Sequence, residues 1–404
     1  MSPTDPSKGP NGNGVSLTSL DERRNDGRPN DRENSPSQNE TVSGMPKAKK
    51  HAGKTAKSTG QPIGLKKLAA HLGLNPTTVS VVLNDVPGRS IPQATRDRIK
   101  AAAKKFNYQP SLLARSLRNR RTYTIGILVP ELGDGYHTQV MSGIGDHLME
   151  AGYFYFTAHH RHRKDLIEEY SRMLLGRGAE ALIAIDTALE HDFSVPVAAV
   201  AGHRYISGVT NVTLDHRFAA QLTLTHLHAL GHRDIAFIKG QPFSSDSAGR
   251  WSSIVTAAQE IGVTINPSLV VQLDRDISSP ELGYPVVQQL LSGGRTFTAL
   301  VAFNDMSAIG AIRALQDLGL SVPRDVSVIG FDDIRVAAFN NPRLTTIRQP
   351  LSNMGRIAAQ CVLNQLTGAE PFRKLILVEP ELAVRESTRA VDHSARGETR
   401  KKSS

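Results

Sequence analysis

Cysteine is almost absent from this chain: Cys361 is the single one in 404 residues. One thiol allows no internal disulfide and no cysteine-based zinc cluster; it suits a reducing compartment, where a buried structural thiol is its simplest role. Long apolar runs are missing too. Nowhere do 18 apolar residues follow one another, and the opening MSPTDPSKGPNGNG has no apolar stretch behind a basic one. The expectation is a cytoplasmic protein, neither secreted nor membrane-spanning. Nor is there a glycine-rich phosphate loop, a GxSxG elbow or an HExxH pair, and the Asp and His residues of the body have no recognisable nucleophile beside them, which argues against an enzyme. Acidic residues are scarce in one region only. Residues 1–122 carry 22 Lys and Arg against 9 Asp and Glu, whereas residues 123–404 carry 26 against 29. A basic front on a near-neutral body is the pattern of phosphate binding, since charge kept for solubility would be spread evenly.

A hydrophobic content of 39% over this length is enough for two or three domains with a large core. Residues 1–60 do not contribute to it. They are rich in Ser, Pro, Gly, Asn and charge, bury too little apolar surface to offset chain entropy, and are expected to be a disordered basic extension. Within them KAKKHAGKTAK (47–57) is either a cationic tail that touches phosphates without reading sequence or a solvated linker. A second disordered tail is expected over 391–404.

Residues 61–108 change to short, basic, helical patterns. In LKKLAAHLGLNPTTVSVVLN (65–84), Leu65, Leu68, Ala69 and Leu72 form one apolar face and Gly73 allows a tight turn. Asn75 can then cap a second helix with Pro76 at its first position, where the missing N–H costs nothing. Val79, Val82 and Leu83 supply that helix's buried side and leave Thr77, Thr78 and Ser80 outward near its start. This reads as a helix-turn-helix with its second helix suited to a major groove, against the alternative of a helical hairpin with no DNA role. A third helix over 94–110 sets Ile99, Ala102, Ala103 and Phe106 opposite a Lys/Arg face, and SLLARSLRNRR follows.

From Tyr123 the pattern becomes strand, helix, strand, helix. TIGILVP (124–130), ALIAID (181–186), VAAVAG (197–202), DIAFIKG (234–240), ALVAFN (299–304) and VSVIGFDD (326–333) read as strands buried on both faces, with amphipathic segments such as 139–152 and 306–319 between them. Such alternation gives parallel sheets flanked by helices, and some 260 residues are too many for one sheet, so two lobes are expected.

Taken in order, LAAHLGLNPTTVSVVLN, TRDRIKAAAKKFNYQPSLLARSLR, GHRDIAFIKG, FNDMSAIGAIRALQDLGLSVPRDVSVIGFDD and PRLTTIRQP resemble the lactose-repressor (LacI/GalR) family of transcriptional regulators across residues 64 to about 388. The resemblance implies an α/β fold: an N-terminal all-α helix-turn-helix head, joined by a hinge helix within 109–122 to a two-lobe, periplasmic-binding-protein-like α/β core over 123–390. It implies a homodimer or tetramer on double-stranded operator DNA, controlled by a sugar-like or nucleobase-like effector, with no cofactor. The DNA contacts would be Asn75, Pro76, Thr77, Thr78, Ser80 and Asn84 in the head and Ala114, Arg115, Leu117 and Arg118 in the hinge, with Leu117 wedged into the minor groove. Two features depart from the family pattern: Val81 stands where an arginine is common, and the N-terminal extension is long.

For the core, the family layout puts 123–230 in the first lobe and 231–330 in the second, with the chain returning over about 331–360. Ligands of open parallel sheets sit at the carboxyl ends of strands. That rule and the resemblance select Tyr136, His137, Arg250, Trp251, Asn304, Asp305, Phe331 and Asp332, a set suited to a polar ligand. Arg250 and Asp305 are expected to hold the effector together. Asp305 has the alternative role of capping the following helix, and Asp332 and Asp333 that of closing a turn or bonding between lobes. His137 replaces an aromatic residue common in the family. The run His159–Arg163 (HHRHR) invites a metal reading, but no carboxylate or cysteine lies at ligand spacing and Arg161 and Arg163 would repel a cation. A solvated or cleft-edge loop is expected, and no metal.

Overall fold

The computed structural model describes residues 63–85, 89–108, 121–133, 135–202, 206–277, 279–292, 294–370 and 372–392. The head has three helices, α1 (Leu65–Leu72), α2 (Pro76–Leu83) and α3 (Gln93–Lys105). They close on Leu68, Ala69, Leu72, Val79, Val82, Ile99 and Ala103, with Phe106 packed against them. Gly73 ends α1 in the left-handed conformation, φ 65°, which a side chain would oppose at this turn. The Asn75 side chain accepts from Thr77 N–H at 2.8 Å and starts α2. Leu83 is only half-buried, and Val81 is buried instead.

The body has two sheets of six strands. The first lobe contains β1 (Thr124–Val129), β2 (Phe154–His159), β3 (Ala181–Ile185), β4 (Val197–Val200), β5 (Val209–Leu214) and β11 (Leu375–Val378), all parallel, in the order β11-β5-β4-β3-β1-β2. The second contains β6 (Ile235–Lys239), β7 (Val270–Gln272), β8 (Ala299–Val301), β9 (Ser327–Asp332), β10 (Thr345–Arg348) and β12 (Glu381–Ala383), in the order β12-β10-β9-β8-β6-β7. Only β12 runs antiparallel there. Helices α4 (Tyr136–Glu150), α5 (Lys164–Gly176) and α10 (Leu351–Thr367) cover the first sheet, and α6 (His216–Ala229), α7 (Ser247–Ile261), α8 (Gly283–Ser292) and α9 (Asp305–Asp317) the second. Strands such as β3 and β4 are buried at every position, as parallel strands covered on both faces must be.

The lobe boundary differs from the expected one. Helix α6 falls within 123–230, yet its Ala220, Leu224 and Leu227 pack with Phe237, Ala257 and Val301 in the second lobe. The chain crosses directly after β5, where the Asp215 carboxylate accepts from Phe218 N–H at 3.0 Å and turns the backbone into α6. It returns between β10 and α10 and crosses a third time between β11 and β12. In the first lobe α4 and α10 meet backbone to backbone: a Cβ on Gly143 would lie 1.8 Å from Ser352 O, and one on Gly355 2.1 Å from Val140 O. Cys361, on α10, is half-buried, and burial pushes its thiol up. Among the described residues no helix is long and apolar enough to cross a membrane.

Candidate functional site

The head presents one polar face. Asn75, Pro76 and Thr77 are exposed at the start of α2, while Thr78, Ser80 and Asn84 are half-buried. Asn84 folds its amide back onto Ser80 O at 2.7 Å, and Asn75 is engaged as the cap, so Thr77 is the side chain best placed to reach outward. Lys66, Lys67, Lys104 and Lys105 are exposed around this face. Arg96 and Arg98 instead turn inward to the carbonyls of Ile91 and Leu72. The Val81 side chain is buried, 5% exposed. The expected hinge contacts Ala114, Arg115, Leu117 and Arg118 lie outside the described residues.

In the body, the carboxyl ends of β1, β3, β6, β8 and β9 converge on a cleft of about 90 Å³ between the lobes. Backbones in the left-handed region gather around it, at Arg161, His162, Asp186, Ala201, Asp332 and Asp333. Such conformations persist where packing over-determines them and are common at ligand sites. Arg250 enters from α7. Its guanidinium lies 3.7 Å from the Phe331 ring centroid and 4.4 Å from that of Phe303, donates to Phe303 O at 2.5 Å and pairs with Asp246 at 3.1 Å. Although buried, Arg250 keeps an Nε without a protein hydrogen bond, as do Tyr136 Oη and His137 Nε2 in the same cleft.

Three carboxylates set the electrostatics. Asp332 lines the cleft and accepts from Gln349 Nε2 at 2.7 Å; burial lifts its pKa, against the pull of Arg250, to about 7. Asp186 is half-buried; burial opposes its charge, yet His137 and His162 overcome the cost and hold it far below the usual carboxylate range. Asp305 is fully buried and absent from the cleft wall. Its oxygens accept from Ile334 N–H at 2.8 Å and Thr346 Oγ1 at 2.5 Å. Burial, then the Asp332 charge, drives its pKa well up.

Residues 65–111 match the family described as bacterial regulatory proteins, lacI family, and residues 224–388 match the periplasmic binding protein-like domain. The HTH-type transcriptional repressor PurR of Haemophilus influenzae is 32% identical over 339 residues, covering 81% of this chain and 99% of the relative. The PurR of Erwinia tasmaniensis is 31% identical over 80% of this chain and 96% of its own length. The chain belongs to the lacI family of bacterial transcriptional regulators. Among solved structures, the lac repressor dimer bound to operator and the anti-inducer ONPF superposes with a TM-score of 0.73 at 25% identity, covering 82% of this chain and all of the other. The transcriptional regulator CelR–cellobiose complex gives 0.59 at 27% identity over 80% of this chain and 99% of the other.

As a lacI-family member the protein is a DNA-binding regulator and not an enzyme, with the expected helix-turn-helix and two-lobe α/β core. The residues singled out in its cleft fare unequally. Tyr136, His137, Arg250, Asn304 and Asp332 come together on the wall. Phe331 is reached through Arg250. Trp251 lies deeper, edge-on to Phe237 at 5.8 Å and beneath Lys239, where it lines a smaller space with Phe331. Asp305 fills neither expected role: Asn304 caps α9, in a reciprocal box with Ser307, and Asp305 ties α9 to β10. Asp333 bonds within the second lobe, to Arg348 at 2.7 Å and Arg385 at 2.6 Å. The histidine run divides. His159 is exposed, His160 is buried, and His162 lines the cleft. Among the described residues no group of three or more His, Cys, Asp or Glu is arranged to hold a metal ion.

Asp186, Asp246 and Phe243 also line the cleft and escaped the sequence reading, and His162 reaches it from the run expected as a solvated or cleft-edge loop. Asp186 had a signal, since it closes a segment already read as a strand. Asp246, four residues before Arg250, had the i,i+4 spacing of a helical ion pair.

Proposed function

We propose that this regulator binds a small polar effector, of the sugar-like or nucleobase-like class, in the interlobe cleft, with Arg250 as the anchor and Tyr136, His137, Asn304 and Asp332 around it. The observation that carries this is the Arg250 side chain, held flat between two aromatic rings with a buried N–H left for a ligand. Asp332, poised near neutrality, can accept from a hydroxyl or N–H or donate when protonated. CelR was solved with cellobiose, and a lacI-family regulator of Enterococcus faecium with ribose, which supports a ligand of the sugar class. The test is a thermal-shift screen of sugars and nucleobases, since a ligand that binds only the folded state raises its stability by mass action. Any hit is then titrated calorimetrically into Arg250→Lys. Unchanged affinity in that variant would move the site elsewhere.

The head, taken as 61–108, is proposed to read operator DNA through the start of α2, Thr77 foremost, with the surrounding lysines on phosphates. Affinity should fall steeply with salt, and the fall should be shallower in Lys66→Ala/Lys67→Ala, by about one unit of log–log slope for each phosphate that a lysine no longer neutralises. The protein is proposed to work in the cytoplasm as a homodimer. Phe154 and Phe156, 61% and 41% exposed, stand on the edge strand β2 near the 71% exposed Met149, an apolar patch fit for a second copy. Sedimentation of Phe154→Glu/Phe156→Glu as a monomer would support that face.

A further inference from the structure

The HHRHR run is not consumed by effector or DNA recognition as described, and its geometry has a direction. His162 stands between two carboxylates that belong to different lobes. Its Nδ1 lies 3.1 Å from Asp276 Oδ1, in the loop after β7 of the second lobe, and its Nε2 lies 3.5 Å from Asp186 Oδ2, at the end of β3 in the first. The ring of Phe243, from the second lobe, packs at 4.8 Å. Asp186 itself reaches across, accepting from Ser245 N–H at 3.1 Å and Ser245 Oγ at 2.7 Å.

We propose that His162 is a proton-operated latch between the lobes, whose protonation joins Asp186 to Asp276 and favours the closed cleft. A neutral imidazole carries one N–H, so whichever nitrogen lacks the proton directs a lone pair at a carboxylate; only the imidazolium is attractive to both. Burial opposes that charge, but Asp186 and Asp276 outweigh it and hold the pKa of His162 above its ordinary value.

His160 makes the latch specific to one ring. Thr187 Oγ1 donates to Ile185 O at 2.8 Å, so it can only accept from His160 Nε2–H at 2.8 Å. His160 Nδ1 in turn accepts from the His162 backbone N–H at 3.1 Å. Both nitrogens are therefore committed in the neutral form, and burial takes the pKa down to about 4. His160 is a fixed prop that holds Arg161 and His162 in their left-handed conformations, φ 48° and 52°. Other charged groups stand near His162. His137 Nε2 lies 3.9 Å from the same Asp186 oxygen, Glu131, Asp246, Arg250 and Asp332 share the cleft wall, and the neighbouring Arg161 and Arg163 are exposed, Arg163 pairing with Asp165.

The latch bears on effector response only through the cleft reading above, but its titration needs no effector. The full-length protein, labelled at histidine Cε1, is titrated by NMR, with His162→Gln to assign the signal. His162 should titrate above the ordinary histidine value, and Asp276→Asn should bring its midpoint down. The second readout is amide exchange at Ser245, whose N–H bonds to the opposite lobe. Protection in wild type, divided by that in His162→Gln at each pH, should be largest below the ordinary histidine pKa. It should fall as pH rises through the His162 midpoint, by about tenfold per unit of pKa elevation. A His162 midpoint at or below the ordinary histidine value, or a Ser245 ratio flat across the titration, would overturn the proposal. Either outcome is separate from failure of the effector screen, which leaves the latch standing.

Discussion

The two walls of the cleft are built on opposite plans. On the second lobe the groups around the anchor are fixed from behind: Arg250 by Asp246 and Phe303 O, Asp332 by Gln349 at the crossing, and Asp305 beneath them by Ile334 and Thr346. On the first lobe the corresponding groups find partners across the gap, Asp186 in Ser245 and His162 in Asp276. A wall that is complete by itself can recognise a ligand with little reorganisation, whereas one completed only by its opposite responds to the separation of the lobes. Recognition and response are thus allotted to different lobes of one cleft.

The sharpest way to break this contrast is Asp305→Ala. If the second wall is internally braced, the substitution leaves a buried N–H and a buried hydroxyl unmet, and unfolding free energy should drop by about 2–6 kcal/mol in urea melts. A loss below about 1 kcal/mol would mean that the brace is dispensable. Arg250→Lys should leave folding nearly intact but weaken effector binding by about tenfold or more, because a lysine cannot reproduce a planar guanidinium between two rings. The smallest effect is expected from Ser245→Ala. It removes one interlobe hydroxyl bond, worth about 1 kcal/mol, and should shift lobe closure and the response of DNA binding to effector while leaving the unfolding midpoint within a degree or two. A wholesale loss of stability in Ser245→Ala would mean that the first wall is braced like the second.

The contrast also explains what could be read from the chain alone. Six of the buried strands were legible because each is a short apolar run bounded by turn residues, and the helix-turn-helix because Gly73, Asn75 and Pro76 are local signals; β5, VTNVTL, is buried at every position yet was not read, because Thr and Asn interrupt its apolar run. Strand β2 was not, since FYFTAH at a sheet edge alternates exposed and half-buried positions and lacks a continuous apolar run. On the second wall the strand-end rule selected Asn304 and Asp332 and the family resemblance selected Arg250; all three line the cleft, and their partners are near in fold and often in sequence. It overreached at Asp305, because being next to a strand end does not say which way a carboxylate turns. On the first wall His162 and Asp276 are 114 residues apart and acquire meaning only when the lobes meet. No periodicity encodes such a pair.

The crossing of α4 and α10 at Gly143 and Gly355 adds a mechanical consequence. Two helices whose backbones touch at interlocked glycines have no side-chain cushion through which to slip, so the first lobe behaves as one stiff plate. Flexing is left to the three short strips of chain at Asp215, between β10 and α10, and between β11 and β12. Three separate strips tie the lobes more tightly than one would, and act as a door hinge that favours swing over twist and translation. Any message from cleft to head is then limited to a single coordinate, the opening angle, and chemically different effectors can differ only in how far along it they hold the door.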